Sequence, residues 1–213
     1  NAQSRVLEEA LLHSGIPYIL VGGTRFYERK EIKDVLCYLR LIANPRDSVS
    51  KKRSLKLGKR RLERFEEYKK ELVDLSLYTT LDLMDGVLAK TKYLDLFEKE
   101  TEENLARLEN IKELRSVASQ FPDINDFLEN VALVEAEQEA TIKNQDKSEK
   151  ITLMTLHSAK GLEFPVVFIV GMEEGIFPHS RSLNDKSQLE EERRLAYVGI
   201  TRAKELLYLS YAA

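Results

Sequence analysis

Cysteine is almost missing: Cys37 is the single one in 213 residues. No disulfide can close within the chain, which excludes a disulfide-stapled fold and points to a reducing compartment, expected here to be the cytoplasm. Long apolar runs are missing too. The longest, Pro165-Val166-Val167-Phe168-Ile169-Val170, has the length of a buried strand and falls far short of the roughly 20 residues that span a bilayer, so no membrane contact is expected. Neither sign of charge prevails, with 33 Lys and Arg against 36 Asp and Glu and a net charge of −3. Any attraction to a polyanion must therefore be local. His179 has no metal-ligating partners at useful spacing, so no metal site is expected. The first residues, Asn1 to Arg5, carry neither an initiator Met nor a signal-peptide pattern, and the chain is expected to be a piece of a longer one.

What is present suits a folded protein. The chain is 43% hydrophobic and 32% charged, enough apolar material for a core under a charged surface. Val6, Leu7, Ala10 and Leu11 repeat at helical spacing until Gly15 and Pro17, Tyr18 to Val21 reads as a short buried strand, and Glu28 to Ala43 reads as a helix with Ile32, Val35, Leu36, Leu39 and Ile42 on one face. Asn44-Pro45 ends it. From Ser50 to about Lys150 the texture changes to Leu, Glu, Lys and Arg with helical stripes only. Leu62, Phe65, Tyr68, Leu72 and Leu75 form one stripe; Leu105, Leu108, Ile111, Leu114, Val117 and Phe121 form a second; Phe127, Leu128, Val131 and Val134 form a third. Glu135 to Lys150 is polar and reads as a linker. Strands then return at Ile151–Thr155, Val166–Val170 (fully buried by its composition) and Leu206–Ser210, with a helix over Gln188–Thr201. The two ends share a texture that the middle lacks. This predicts one α/β domain built from both ends around a parallel sheet, interrupted by a helical insertion.

Two polar clusters carry the chemistry. Thr155-Leu156-His157-Ser158-Ala159-Lys160-Gly161-Leu162-Glu163 follows a predicted strand, where α/β sheets bind ligands. Its hydroxyls, His and Lys suit phosphate oxygens, and Gly161 lets a backbone come close; a solvated polar loop is the alternative. Glu190 to Lys204 holds i,i+3 and i,i+4 pairs that stabilise a solvated helix, but Thr201-Arg202 falls where that helix ends and a strand begins. An arginine there could reach a phosphate on another domain.

Ile151 to Phe164 resembles motif V, and Glu190 to Lys204 motif VI, of the UvrD/PcrA/Rep-type superfamily 1 DNA helicases. Phe26 to Asp34 is similar to the segment between their motifs IV and V, and Asn1 to Arg5 to an element upstream. The resemblance implies a RecA-like second motor domain (2A, residues 1–50 and 149–213) interrupted by a mostly helical 2B-like insertion (residues 51–148). It implies an ATP-dependent 3′-to-5′ DNA helicase that uses ATP and Mg²⁺ and acts on single-stranded DNA and DNA junctions, with repair or transcription proteins as further partners. By position in the motifs, Arg202 would be the arginine finger, worth about 10³–10⁵ in rate where measured. Glu163 would face the nucleotide ribose or the phosphate side of the cleft, with Gly161 and Lys160 beside it, and Lys160 could serve either ligand. Thr155, His157 and Ser158 would contact the single-stranded DNA backbone or couple it to the nucleotide. Arg5 and Arg29 would lie near the motor core and its DNA, though helix-surface ion pairs account for both equally well.

Departures limit the implied activity. The phosphate-cradling G-x-x-x-x-G-K-[ST] loop, the acidic Mg²⁺ site and the water-positioning Glu belong to a first motor domain that this sequence lacks. The chain alone is thus expected to hydrolyse no ATP. Where the family continues into a Gly-Ile-Gly stretch that grips duplex DNA, Arg46-Asp47-Ser48-Val49-Ser50 runs directly into Lys51-Lys52-Arg53, so the insertion is expected to be shortened. Seven of the eleven residues from Lys51 to Arg61 are basic, followed at once by Glu63, Glu66, Glu67 and Glu71; a phosphate contact and a solvated amphipathic helix both fit. Two other readings stand beside the motor: a non-catalytic interaction module, and the helicase part of a helicase–nuclease.

Overall fold

Helix boundaries follow the capping chemistry of the sequence. The structure, a computed structural model, describes residues 3–143, 150–180 and 182–211, backbone only at 139–143. Ser4–His13 forms α1, closed by Gly15 at φ 65°, a conformation glycine adopts without strain. Tyr18–Val21 forms β1 and Lys30–Ala43 forms α2. Asp47 accepts hydrogen bonds from the Val49 and Ser50 amides and starts α3, Ser48–Lys56. Leu57-Gly58 separates it from α4, Lys59–Glu71. Thr79 and Asp82 make a capping box on α5, Thr80–Thr91, and Thr101 caps α6, Glu102–Ala118. Then come α7 (Ile124–Lys143), β2 (Ile151–Met154), β3 (Phe164–Ile169), α8 (Lys186–Ile200) and β4 (Ala203–Leu209).

The chain folds into two compact units: Asn1–Tyr18 with Thr24–Ile151, and Ile19–Gly23 with Thr152–Ala213. In the first, α2 is the central helix and touches α3, α5, α6 and α7. Its expected apolar face is buried, and so are Cys37, Tyr38 and Leu41 on its other sides. A helix with neighbours on several sides buries more than one face, which a one-sided stripe does not foretell; only the side of Lys30, Lys33 and Arg40 stays partly in solvent. Two carboxylates go inside with it, each satisfied: Asp34 accepts from Arg53 Nε at 2.7 Å and from the Tyr93 hydroxyl at 2.8 Å, and Glu31 accepts from Asn110 Nδ2. The three stripes of the middle segment join this core through Phe65, Tyr68, Ile111, Leu114, Val117, Phe127, Val131 and Val134. To it α5, with the turn after it, adds Leu83, Met84, Val87, Leu88, Tyr93 and Phe97, which no stripe named. Residues 24–50, read with the α/β domain, pack inside this helical unit. Glu135–Lys143, read as the start of a linker, instead continues α7, since nothing in it breaks a helix. The remainder of that stretch, Asn144–Ser148 included, lies outside the described residues.

The second unit holds the strands. Among the described residues they form two two-stranded sheets, β1 with β2 and β3 with β4, where one sheet was expected. β3 and β4 run parallel, with Val166 beside Leu206 and Phe168 beside Tyr208. The connection is α8, the crossover helix that a parallel pair requires. Gly199 lets it approach: a Cβ there would press on Leu156 and Ile169. The strand expected to be fully buried is not. Ile169, on the face that meets α8, is buried, whereas Val166, Phe168 and Val170 are exposed together with Leu206 and Tyr208. Full burial of a parallel strand takes helices on both faces, and α8 covers one.

Candidate functional site

The loop from Thr155 to Glu163 is set by its own hydrogen bonds. The Thr155 Oγ1 lies 3.0 Å from the Ser158 Oγ and accepts from the Ser158 amide at 3.2 Å, while the Ala159 amide donates to the Thr155 carbonyl at 3.1 Å. This local capping holds residues 155–161 in a tight turn. Gly22, after β1, sits against it at φ 73°, and a Cβ there would collide with the Ser158 hydroxyl. Gly161, at φ 84°, ends the turn with open space where a Cβ would stand. That position needs glycine for its conformation and leaves the backbone approachable. His157 and Lys160 are exposed.

Arg202 is anchored to this loop. It follows α8 at the first residue before β4, and the parallel register puts it beside the end of the loop. The Phe164 amide donates to the Arg202 carbonyl at 2.9 Å, and Arg202 Nη1 donates to the Leu162 carbonyl at 2.8 Å. Nε donates to the Val198 carbonyl at 2.9 Å and Nη2 to the Thr201 hydroxyl at 3.0 Å. The guanidinium therefore bridges the end of α8 and the turn that precedes β3. One residue on, Glu163 pairs with Lys204 at 3.2 Å, both side chains largely in solvent. Arg202, Lys204, Glu163 and Gly161 thus share one corner of the second unit.

Arg5 and Arg29 belong to the first unit and are committed there. Arg5 is nearly buried, with Nε donating to Glu113 at 2.7 Å and an i,i+4 ion pair to Glu9. Arg29 donates to Asn110 Oδ1 at 2.6 Å, to Ser4 Oγ at 2.7 Å and to the Thr24 carbonyl at 3.2 Å. Burial pulls its guanidinium below the ordinary value, opposed by the nearby Glu8 and Glu31. Their roles in this structure are those of ion-pair and hydrogen-bond hubs.

Sequence reasoning did not assign a role to Lys204 or Gly199, and it read Gly22 only, with Gly23, as the close of the strand Tyr18–Val21. The first was legible only through strand register, which pairs β4 with the end of the loop. The two glycines were visible as a strand-closing pair and as an isolated helical glycine, signals of close approach without a partner named. For a nucleotide, the donor set fits: a guanidinium and ammonium groups beside an approachable turn and one carboxylate. For Mg²⁺ it does not, since among the described residues no three His, Cys, Asp or Glu side chains cluster to hold a metal ion.

Relatives align with this chain over its full length, both motif regions included. It is 41% identical over 261 aligned positions to the ATP-dependent DNA helicase PcrA of Bacillus subtilis strain 168, and 40% identical over 263 to that of Staphylococcus aureus strain Mu50. Each alignment covers all of this chain and 35% of the relative, so the chain spans about a third of their length. Aligning 213 residues over 261 positions leaves at least 48 positions with no residue here. Residues 1–113 and 87–213 match the family profile of the UvrD-like helicase C-terminal domain, and the chain belongs to that family.

Proposed function

We propose that this chain is the second motor domain, with a shortened helical insertion, of an ATP-dependent 3′-to-5′ DNA helicase. In this reading residues 1–50 and 149–213 are the RecA-like part and 51–148 the insertion, although residues 1–18 and 24–50 fall in one compact unit with the insertion's helices. ATP lies between this domain and a first motor domain that supplies the phosphate loop and the Mg²⁺ ligands. The bound nucleotide supplies the reactive γ-phosphate. Arg202 contributes a positive charge to it, Glu163 a hydrogen-bond acceptor, and Gly161 with Lys160 the approach to the backbone. Thr155, His157 and Ser158 face single-stranded DNA.

The observation that carries the reading is the Arg202–Leu162 bond. The guanidinium that reaches a phosphate is the same group that holds the turn beside the DNA-facing loop, so exchanging its carbonyl partner for a phosphate oxygen alters that loop. Coupling of two ligands needs such an element with two arrangements, each favoured by one ligand. Three of the five N–H donors of Arg202 are engaged in this structure, which leaves two for a phosphate oxygen.

The test combines this chain with the first motor domain of its parent and measures DNA-stimulated ATP hydrolysis. Arg202→Ala is expected to lower turnover by about 10³–10⁵ while nucleotide binding persists. Arg202→Lys, which keeps the charge and loses the fork, should recover little of it. Turnover near normal in Arg202→Ala would refute the finger assignment. A second reading, a non-catalytic module of a DNA repair factor, draws on the absent phosphate loop and the shortened insertion. Partner binding with no ATP hydrolysis in the reassembled pair would favour it.

A further inference from the structure

Two cations belong to the corner that holds Glu163, and the carboxylate pairs with the one that binds carboxylates less firmly. Its neighbours in the chain, Leu162 and Phe164, are both bonded to Arg202. The Leu162 carbonyl accepts from Nη1 at 2.8 Å, and the Phe164 amide donates to the Arg202 carbonyl at 2.9 Å. A guanidinium fork takes a carboxylate in two parallel bonds, whereas an ammonium meets it as a point charge. Yet the carboxylate turns to Lys204, with Oε2 at 3.2 Å from Nζ, and no described ion pair joins it to Arg202.

The choice matters because of how Arg202 is held. Its described acceptors are the Val198 and Leu162 carbonyls and the Thr201 hydroxyl, all of them neutral. The guanidinium therefore keeps its full charge, with two N–H groups to spare. A carboxylate on those two groups would cancel the charge and fill the fork that a phosphate needs. Strand register brings the competing cation. Ala203 opens β4 opposite Phe164, so Lys204 stands one residue inside the strand, its backbone fixed by pairing with β3, while Arg202 sits in the turn before it.

We infer that Lys204 is a positioning residue: by holding the Glu163 carboxylate it keeps that carboxylate off Arg202 and leaves the guanidinium charged and open to a nucleotide phosphate. Lys204 touches no reacting atom and acts through Glu163. The inference rests on the motor reading, in which Arg202 meets a phosphate and Glu163 meets the nucleotide. Its effect is modest, because the two side chains are 56% and 58% exposed and water screens the pair. What marks the role is therefore dependence on Glu163 and not size.

The test is a double-mutant cycle in the full-length parent, with kcat and KM for ATP measured at saturating single-stranded DNA. Lys204→Gln frees the carboxylate and should lower kcat by about two- to fivefold, the range that an exposed ion pair supplies. Glu163→Gln should raise KM for ATP. With Glu163→Gln already in place, Lys204→Gln should leave kcat unchanged, because no carboxylate remains to seize Arg202. An equal loss of kcat in both backgrounds overturns the inference, since Lys204 would then act on the phosphate itself or only through the fold. So does an unchanged kcat in Lys204→Gln when Glu163→Gln does raise KM, and that outcome leaves the motor reading of Glu163 intact. Unchanged kcat and KM in Glu163→Gln overturn that reading of Glu163, and the inference with it.

Discussion

The two units of this molecule place their apolar side chains in opposite ways. In the helical unit Phe65 is 0% exposed and tilts against Tyr38 at 4.8 Å between ring centres. In the strand-bearing unit Phe168, an equally large ring, is 67% exposed and stacks only on Tyr208 across the sheet, at 4.5 Å. The first unit is held by close packing around α2. The second is held by main-chain pairing of β3 with β4 and by polar straps such as Arg202, with one face of its sheet open. Rigidity and function are thus divided: the unit with the core carries buried hubs at Arg5 and Arg29, and the unit with the open sheet carries the residues of the candidate site.

The largest expected effect tests the packed side. Phe65→Ala leaves a cavity beside Tyr38 and should cost about 3–5 kcal/mol, read as a shift in the denaturant midpoint followed by the helical circular-dichroism signal. A cost below about 1 kcal/mol would mean that α4 is not part of the core, and the contrast between units would collapse.

A smaller effect sharpens the electrostatics of the same unit. Glu8 is buried on α1, one of its oxygens accepting from the Tyr18 hydroxyl at 3.1 Å and the other, Oε1, without a partner. Burial raises its pKa above the ordinary 4.5, against the lowering effects of Ser4, Tyr18 and Arg29. A carboxyl with a raised native pKa binds protons more readily folded than unfolded, so it detracts from stability as pH climbs above 4.5. At lower pH both states are protonated and the difference vanishes. Glu8→Gln should therefore gain stability relative to the parent chain as pH rises from 4.5 toward neutrality. The gain should stay within the roughly 1–3 kcal/mol of an unpaired buried polar group. Melts of the two proteins over that range check it, and a constant difference would mean that folding leaves the Glu8 pKa unshifted.

Much of this was legible beforehand, and the failures are instructive. The stripes Phe65-Tyr68, Ile111-Leu114-Val117 and Phe127-Val131-Val134 named helices that the structure contains, because a period of about 3.6 residues survives any tertiary context. The motif strings led to the corner that joins Glu163 to Arg202, since loop and helix end are each local. What composition could not give was the number of neighbours an element has. It offered no means to see that α2 is covered on most of its sides, or that Val166–Val170 is covered on one side. Lys204 as the partner of Glu163 depends on the register of β3 against β4, which no single-segment pattern encodes.

The smallest expected effect is the one that defines the open side. Phe168→Thr keeps a strand-forming residue and removes an exposed ring. It should cost only the Tyr208 stacking, about 0.5–1 kcal/mol, several-fold less than Phe65→Ala. Because exposed apolar patches promote association, the variant should also stay monomeric to higher concentration in sedimentation or light-scattering measurements. A cost approaching that of Phe65→Ala would show that the Phe168 face is covered in solution. The division between a packed unit and an open one would then give way to two packed units.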